Sequence, residues 1–264
     1  MAKQRLDQRV FELGVADSRE KAKALIMEGL VYVNGQKETK PGAAVAEDAA
    51  VEFRGEKPRY VSRGGLKLEK ALDVFSIDPA GLDCIDCGAS TGGFTDCLLQ
   101  RGARHVWAVD VGYGQLAWPL RQDARVTVME RTNARSLTPE MFPAEMALAV
   151  MDMSFISLKL VLPAVRSLLC AQGQAVCLVK PQFEAGRDKV GKKGVVRDRG
   201  VHREVLENFL RDAADCGFAV LGMDFSPVRG PEGNIEYLAH LAKSGESAAI
   251  DCAALAERSH EVLG

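Results

Sequence analysis

Residues 86–99 read DCGASTGGFTDCLL, and the rest of the chain is read outward from them. A short apolar run, LDCI, ends in Asp86. Gly88, Ser90, Thr91, Gly92 and Gly93 follow, and then an amphipathic run begins at Phe94. A strand, a tight turn and a helix have this pattern when the turn must press against a ligand: a dinucleotide, a phosphate or S-adenosylmethionine (SAM). A dinucleotide fingerprint is G-x-G-x-x-G, and glycines at 88, 92 and 93 do not have that spacing. Asp110 ends the next apolar run, HVWAVD. An acid at the end of a second strand accepts both hydroxyls of a ribose, which serves NAD and SAM alike. SAM has no pyrophosphate but carries an ammonium, which Asp86 would favour. The glycines would let backbone amides approach its carboxylate at a helix N-terminus. The loop therefore reads as a SAM site.

Downstream and upstream of this loop the pattern alternates. A helix is expected around 66–75, with strands near 82–87, 105–109, 126–129, 147–151, 175–179, 218–225 and 235–241. Helices are expected near 93–101, 157–169 and 202–215, and one more from Ile250 to Val262. Such alternation predicts an α/β, Rossmann-like fold with a mostly parallel seven-stranded sheet. The first 57 residues differ. Leu6, Val10 and Leu13 form one helical stripe over 5–13, and Ala22, Leu25 and Ile26 another over 18–28. Ser18 is placed to cap the second helix, Gly29 to close it, and Asn34-Gly35 to turn a hairpin. A last strand ends near Phe53. This is a small α+β unit, and RGEKPRYVSRGG behind it, with Pro58 and Gly64-Gly65, reads as a linker. The expected division is 1–57, a linker at 58–63, a catalytic domain at 64–244 and a helical tail at 245–264.

Composition narrows the class of protein. Of 264 residues, 47% are apolar and 27% charged, as in ordinary globular domains. The start, MAKQRLDQRV, lacks the apolar core of a secretory signal, and no apolar run approaches the roughly 20 residues that span a bilayer. A cytoplasmic protein with no membrane partner is expected. Seven cysteines, an odd number, point to reduced core thiols. Cys84 and Cys87 form a C-x-x-C, but on one strand they face opposite sides. The four histidines have no metal-ligand spacing, so no metal is implied. Net charge is −2, which gives no nucleic-acid signal for the whole molecule. Locally, Lys180 to Arg203 holds eight basic against three acidic residues, and Arg59 to Lys70 four against one. Such runs are more often solvated faces than binding sites.

Two further residues fall at strand ends. Asp152, in VMDMSF, follows the fourth strand, where the ligand crevice of an open α/β sheet lies. Methyltransferases acting on base amines usually place D/N-P-P-Y/F there, and MDMSF lacks both prolines. Lys180, in AVCLVKPQF, ends the fifth strand and brings an ammonium to the same sheet edge.

Over about residues 3 to 242 the chain resembles the TlyA (hemolysin A) family. The motifs VSRGGLKL, GASTGGFTDCLL, VDVGYGQLAW, RTNAR, SFISL, VKPQFE and GPEGNIEY carry the resemblance. It implies an FtsJ-like catalytic domain that methylates the ribose 2′-oxygen, at cytidine, of ribosomal RNA in assembled subunits. It also implies an N-terminal αL RNA-binding module like that of ribosomal small-subunit protein four. The catalytic tetrad of that class falls on Lys67, Asp152, Lys180 and Glu236, with Lys70 the one rival for the first lysine. Family members tend to have tryptophan where this chain has Tyr60. With SAM as cofactor, the implied binding set is Asp86, Gly88, Ser90, Gly92, Gly93, Phe94, Asp110, Val111, Asn133 and Asp152. The RNA-facing set is Arg5, Arg9, Arg19, Lys21, Lys23 and Arg63, with Lys189, Lys192 and Lys193. Lys67 is expected to lower the Lys180 pKa by repulsion, and Asp152 and Glu236 to raise it. Three alternatives stand beside this reading: a non-catalytic ribosome-assembly factor with a SAM fold, a hemolysin, and methylation of a base amine.

Overall fold

The structure is a computed structural model that describes residues 3–16, 18–55, 58–191 and 193–264. The chain divides into two units, Met1–Arg59 and Tyr60–Gly264. No helix among the described residues is long and apolar enough to cross a membrane.

In the first unit, β1 (Lys3–Arg5), α1 (Leu6–Glu12) and α2 (Arg19–Met27) precede four short strands. These are β2 (Val31–Val33), β3 (Gln36–Glu38), β4 (Ala44–Ala46) and β5 (Val51–Phe53). Ser18 caps α2 by accepting from the Lys21 amide at 3.2 Å. Asn34 and Gly35 both take positive φ, the requirement of the two-residue turn that joins β2 to β3. The three strands pair antiparallel in the order β3-β2-β5, and β1 pairs separately with β4. Leu6, Val10, Ala22, Ile26, Val31 and Val45 make the core. Leu13, expected in the first stripe, lies just past the end of α1 and is 45% exposed.

The second unit opens with α3 (Gly64–Val74). Gly64-Gly65, read from sequence as linker, form its first turn. A Cβ on Gly65 would fall 2.2 Å from the Tyr60 ring, so glycine lets that buried ring lie against the helix. The chain continues through β6 (Asp83–Cys87), α4 (Gly93–Gln100), β7 (His105–Val109), α5 (Trp118–Arg121), β8 (Val126–Met129) and β9 (Met146–Met151). Then come α6 (Leu162–Leu168), β10 (Leu169–Val179), α7 (Pro181–Glu184), α8 (Arg199–Asp215), β11 (Ala219–Phe225), β12 (Tyr237–Ala242) and α9 (Cys252–Leu263). The helix expected over 157–169 is shorter. Pro163 sits in the first turn of α6, where its missing N–H costs nothing, and only a 3-10 turn at Leu158–Leu160 precedes it.

The sheet has seven strands in the order β11-β12-β10-β9-β6-β7-β8. Only β12 runs antiparallel to its neighbours. From β6 the chain winds outward through β7 and β8, then returns to the other side of β6 for β9. The topological switch thus lies between β6 and β9, where such sheets bind ligands. Apolar clusters cover both faces, with Cys84 in one and Cys87 in the other. All seven cysteines are free thiols. The last helix is built into the fold: Cys252, Leu255 and Ala256 join the larger core.

Candidate active site

The carboxyl ends of the parallel strands share one edge, and β12, running the other way, brings its amino end to that edge. Cys87 is in register with Met151, and Val179 with Tyr237. Asp86 in β6, Asp152 after β9, Lys180 after β10 and Glu236 before β12 are therefore neighbours by topology, though far apart in sequence. Lys67 comes from α3. Gly93 admits that helix, since a Cβ there would meet Ser62 Oγ at 2.3 Å and the Gly65 nitrogen at 2.9 Å.

One cavity of about 550 Å³ is lined by all four tetrad residues together with Gly88, Ser90, Gly93 and Phe94. Lys180 Nζ lies 2.5 Å from Asp152 Oδ1 and donates to Ser154 Oγ at 3.1 Å. Lys67 Nζ donates to Glu236 Oε2 at 2.5 Å, and both side chains are buried. Lys70 is committed elsewhere: it pairs with Asp224 at 2.9 Å, donates to the Phe225 carbonyl and lies 3.9 Å over the Phe225 ring.

Next to the lysines the edge is acidic. Asp86 is fully buried; its Oδ2 accepts from Thr95 Oγ1 at 2.7 Å, while Oδ1 has no hydrogen-bond partner among the described residues. Burial pushes its carboxyl up to about 7, and the neighbouring charges of Asp152 and Asp110 add to the shift. Asp110 accepts from the Ser90 amide at 2.8 Å and the Gly112 amide at 2.7 Å, which ties the glycine loop to the end of β7. Three carboxylates around a loop at a helix N-terminus suit a ligand with a cationic centre and a carboxylate. SAM has both, with two cationic groups, and the residues fit it.

The glycines have a packing reason beside the one read in sequence. Gly88 and Gly92 take φ of +85° and +96°. A Cβ on Gly88 would sit 2.6 Å from the Asp152 carbonyl oxygen, and one on Gly92 2.3 Å from Leu120 Cδ1. The space is filled by protein, so these glycines also fit the loop to the sheet and to α5, and Gly88 lines the cavity as well.

Several expected site residues lie off the cavity. Val111 is 68% exposed, and Asn133 caps a 3-10 turn by accepting from the Arg135 amide. Neither they nor Asp86, Gly92 and Asp110 line it; Asp86 is buried beneath the loop. Lys189 is taken up by Glu204, at 2.5 and 2.7 Å. Lys193 and Arg63 are exposed, and Lys192 lies outside the described residues. In the first unit Arg5 and Arg19 both bind the buried Asp7, at 3.0 and 3.1 Å. The Arg5 hydrogen bonds are the largest cause of the fall of that carboxyl to about 2. Arg9 donates to the Glu47 carbonyl, and Lys23 lies 3.8 Å from Glu20. Lys21 gives its amide to the Ser18 cap.

Sequence reading missed Ser154, Phe155, Gln182, Phe183 and Asn234, all of which line the cavity. Phe155 is 91% exposed at φ +63° and packs against Phe183, with centroids 5.2 Å apart. The available signal was adjacency, for each of these residues stands within three positions of a tetrad member.

A model of FtsJ-like methyltransferases matches residues 60–243, and an S4 domain model matches residues 4–51. The 16S/23S rRNA (cytidine-2′-O)-methyltransferase TlyA of Mycobacterium tuberculosis is 45% identical, over 98% of this chain and 97% of its own length. Hemolysin A of Brachyspira hyodysenteriae is 44% identical, over 89% and 98%. A solved structure from Streptococcus thermophilus, described as a hemolysin, is 47% identical with a TM-score of 0.79, covering 99% of this chain and 97% of that one. The glycine loop, the sheet order and these matches agree: the chain belongs to the TlyA group of FtsJ-like, SAM-dependent methyltransferases.

Proposed function

We propose that Lys67, Asp152, Lys180 and Glu236 form the catalytic centre of an rRNA 2′-O-methyltransferase, with the target ribose, that of a cytidine, placed above Lys180. The observation that carries this reading is the Lys180–Asp152 contact of 2.5 Å inside the cavity that the glycine loop also lines. When bound, SAM supplies a methyl group already activated on a sulfonium. What the protein must add is alignment and removal of a proton from a poorly nucleophilic hydroxyl. Asp152 and Ser154 hold the Lys180 amine from one side, so its remaining valence meets the 2′-hydroxyl. In its neutral form that amine accepts the proton. Lys67, held by Glu236, sets the positive field beside it.

Asp86, Gly88, Ser90, Gly93 and Phe94 would hold SAM, with Asp110 fixing the loop. In the first unit, Asp7 orients Arg5 and Arg19 while roughly half of each arginine side chain stays exposed. A guanidinium has five N–H donors, so both keep donors for RNA phosphates. The S4-type unit is thus the RNA-gripping part, consistent with the ribosomal RNA named for the Mycobacterium relative.

The test is product mapping. Ribosomal subunits incubated with methyl-labelled SAM and the protein should yield a labelled nucleoside whose methyl is on the ribose. Label on a base, or in protein alone, refutes the reading.

A further inference from the structure

A second cavity of about 360 Å³ lies behind one wall of the tetrad site, lined by Arg197, Arg229, Glu232, Gly233 and His260 among others. Glu232 lines both cavities, and residues 193–197 and 229–236 form the wall between them. That wall is pinned. Asn234, 1% exposed, accepts from the Val196 amide at 2.9 Å and donates to the Gly194 carbonyl at 2.8 Å. The buried His202 holds the Val196 carbonyl at 3.0 Å and the Tyr237 hydroxyl at 2.8 Å.

The basic residues near this wall fall into two groups. Lys189 pairs with Glu204, Arg199 with Glu257 and Arg203 with Glu207. Arg197 and Arg229 are exposed and have no ion pair among the described residues. The facing groups are His260, the Glu232 carboxylate and the terminal residue Gly264. Burial, and then the charge of Arg199, push the His260 imidazole down.

Resting on the proposed RNA chemistry of the tetrad, we propose that Arg197 and Arg229 bind a backbone phosphate of the RNA strand flanking the methylated nucleotide. The strand would straddle the pinned wall, with its target ribose in the tetrad cavity and a neighbouring phosphodiester in the arginine cavity. A guanidinium pair suits a phosphate by geometry as well as by charge, and the rigid wall fixes the register between phosphate and ribose.

The experiment uses the full chain, ribosomal subunits that lack the methyl group, and labelled SAM. Arg197→Ala/Arg229→Ala should leave the SAM dissociation constant and kcat within twofold and raise the KM for RNA tenfold or more. The slope of log affinity against log salt should become shallower by about 0.7, the loss of one single-strand phosphate contact. Arg197→Lys/Arg229→Lys should keep most of the salt slope, and Arg203→Ala, in a paired residue, should change neither quantity. An unchanged salt slope in the double alanine variant, or a loss confined to kcat, overturns the proposal. A wild-type protein that puts no methyl on RNA ribose refutes the tetrad reading instead, so the two failures are told apart.

Discussion

The tetrad cavity and the arginine cavity share a wall but handle positive charge in opposite ways. Lys67 and Lys180 are nearly buried, and each lies 2.5 Å from a carboxylate oxygen. Arg197 and Arg229 stand in solvent without an ion pair among the described residues. A charge taken out of water needs a partner, or its burial costs several kcal/mol. A wet guanidinium needs none and stays available. The difference teaches how to sort a basic stretch: paired cations place chemistry or hold the fold, and unpaired ones are offered to a polyanion. Arg5 and Arg19 are an intermediate case, half-exposed while sharing a buried acid.

The largest effect should come from the paired side. Lys180→Met is expected to cut the single-turnover rate on saturating RNA by about 10²–10⁴-fold, the usual worth of a positioned proton acceptor, with SAM affinity retained. Lys180→Arg should be nearly as damaging, because a guanidinium does not release its proton at usable pH. If arginine there supports the full rate, Lys180 works by charge alone, as the arginines of the second cavity do.

Next is stability. Lys67→Met leaves the Glu236 carboxylate buried and unpaired, and urea unfolding should show a loss of about 3 kcal/mol. Lys67→Met/Glu236→Gln should recover much of it. Lys70→Met should cost only about 1 kcal/mol, since Lys70 and Asp224 keep access to water. Equal losses for Lys67 and Lys70 would erase the distinction between the tetrad lysine and its rival.

The shared wall gives a smaller, pH-dependent effect. Burial holds the His202 imidazole down to about 4, against 6.5 in the open chain. In that window the unfolded state binds the extra proton, so the stabilising contribution is whole above about pH 6.5 and is lost as pH falls toward 4. It amounts to about 2–3 kcal/mol. His202→Gln should be less stable at neutral pH but lose less on acidification; an equally steep decline in that variant would mean the wall is not held by a neutral histidine.

The smallest expected effect is on ligand affinity. Asp86 keeps its proton to about pH 7 in the free protein, and a cationic ligand favours its ionised form. Binding of SAM should therefore expel a proton. Its affinity should rise with pH by at most about tenfold per unit and flatten above about 7. Calorimetry of Asp86→Asn should show no such rise; a pH profile unaltered by that change would remove Asp86 from the site.

Much of this was legible because a parallel sheet sends every strand end to one edge. Asp86, Asp152 and Lys180 could be placed together from strand spacing alone, as could the opposed facing of Cys84 and Cys87. Local chemistry was equally plain at the Ser18 cap and the Asn34-Gly35 turn. What could not be read depends on distant contacts. The β1–β4 pairing joins three-residue strands about 40 positions apart, too short for any periodicity to show. Gly64-Gly65 looked like a linker because its reason, the Tyr60 ring and the first turn of α4, lies in three dimensions. The loop glycines have a further reason that sequence did not show, since they fit protein against protein. Pairing was invisible too: nothing local in the run from Lys180 to Arg203 says that Glu204 takes Lys189 while Arg197 is left alone.

The reversed course of β12 also sets a schedule during synthesis. The glycine loop, Asp110 and Asp152 all lie within the first 152 residues, so a growing chain can assemble its cofactor cradle early. Glu236 lies 169 positions beyond the lysine it holds, and it reaches the sheet edge only when the penultimate space in the sheet is filled by the last strand. Contacts of such long range form late. The contact between Lys67 and Glu236 waits for the final strand to dock.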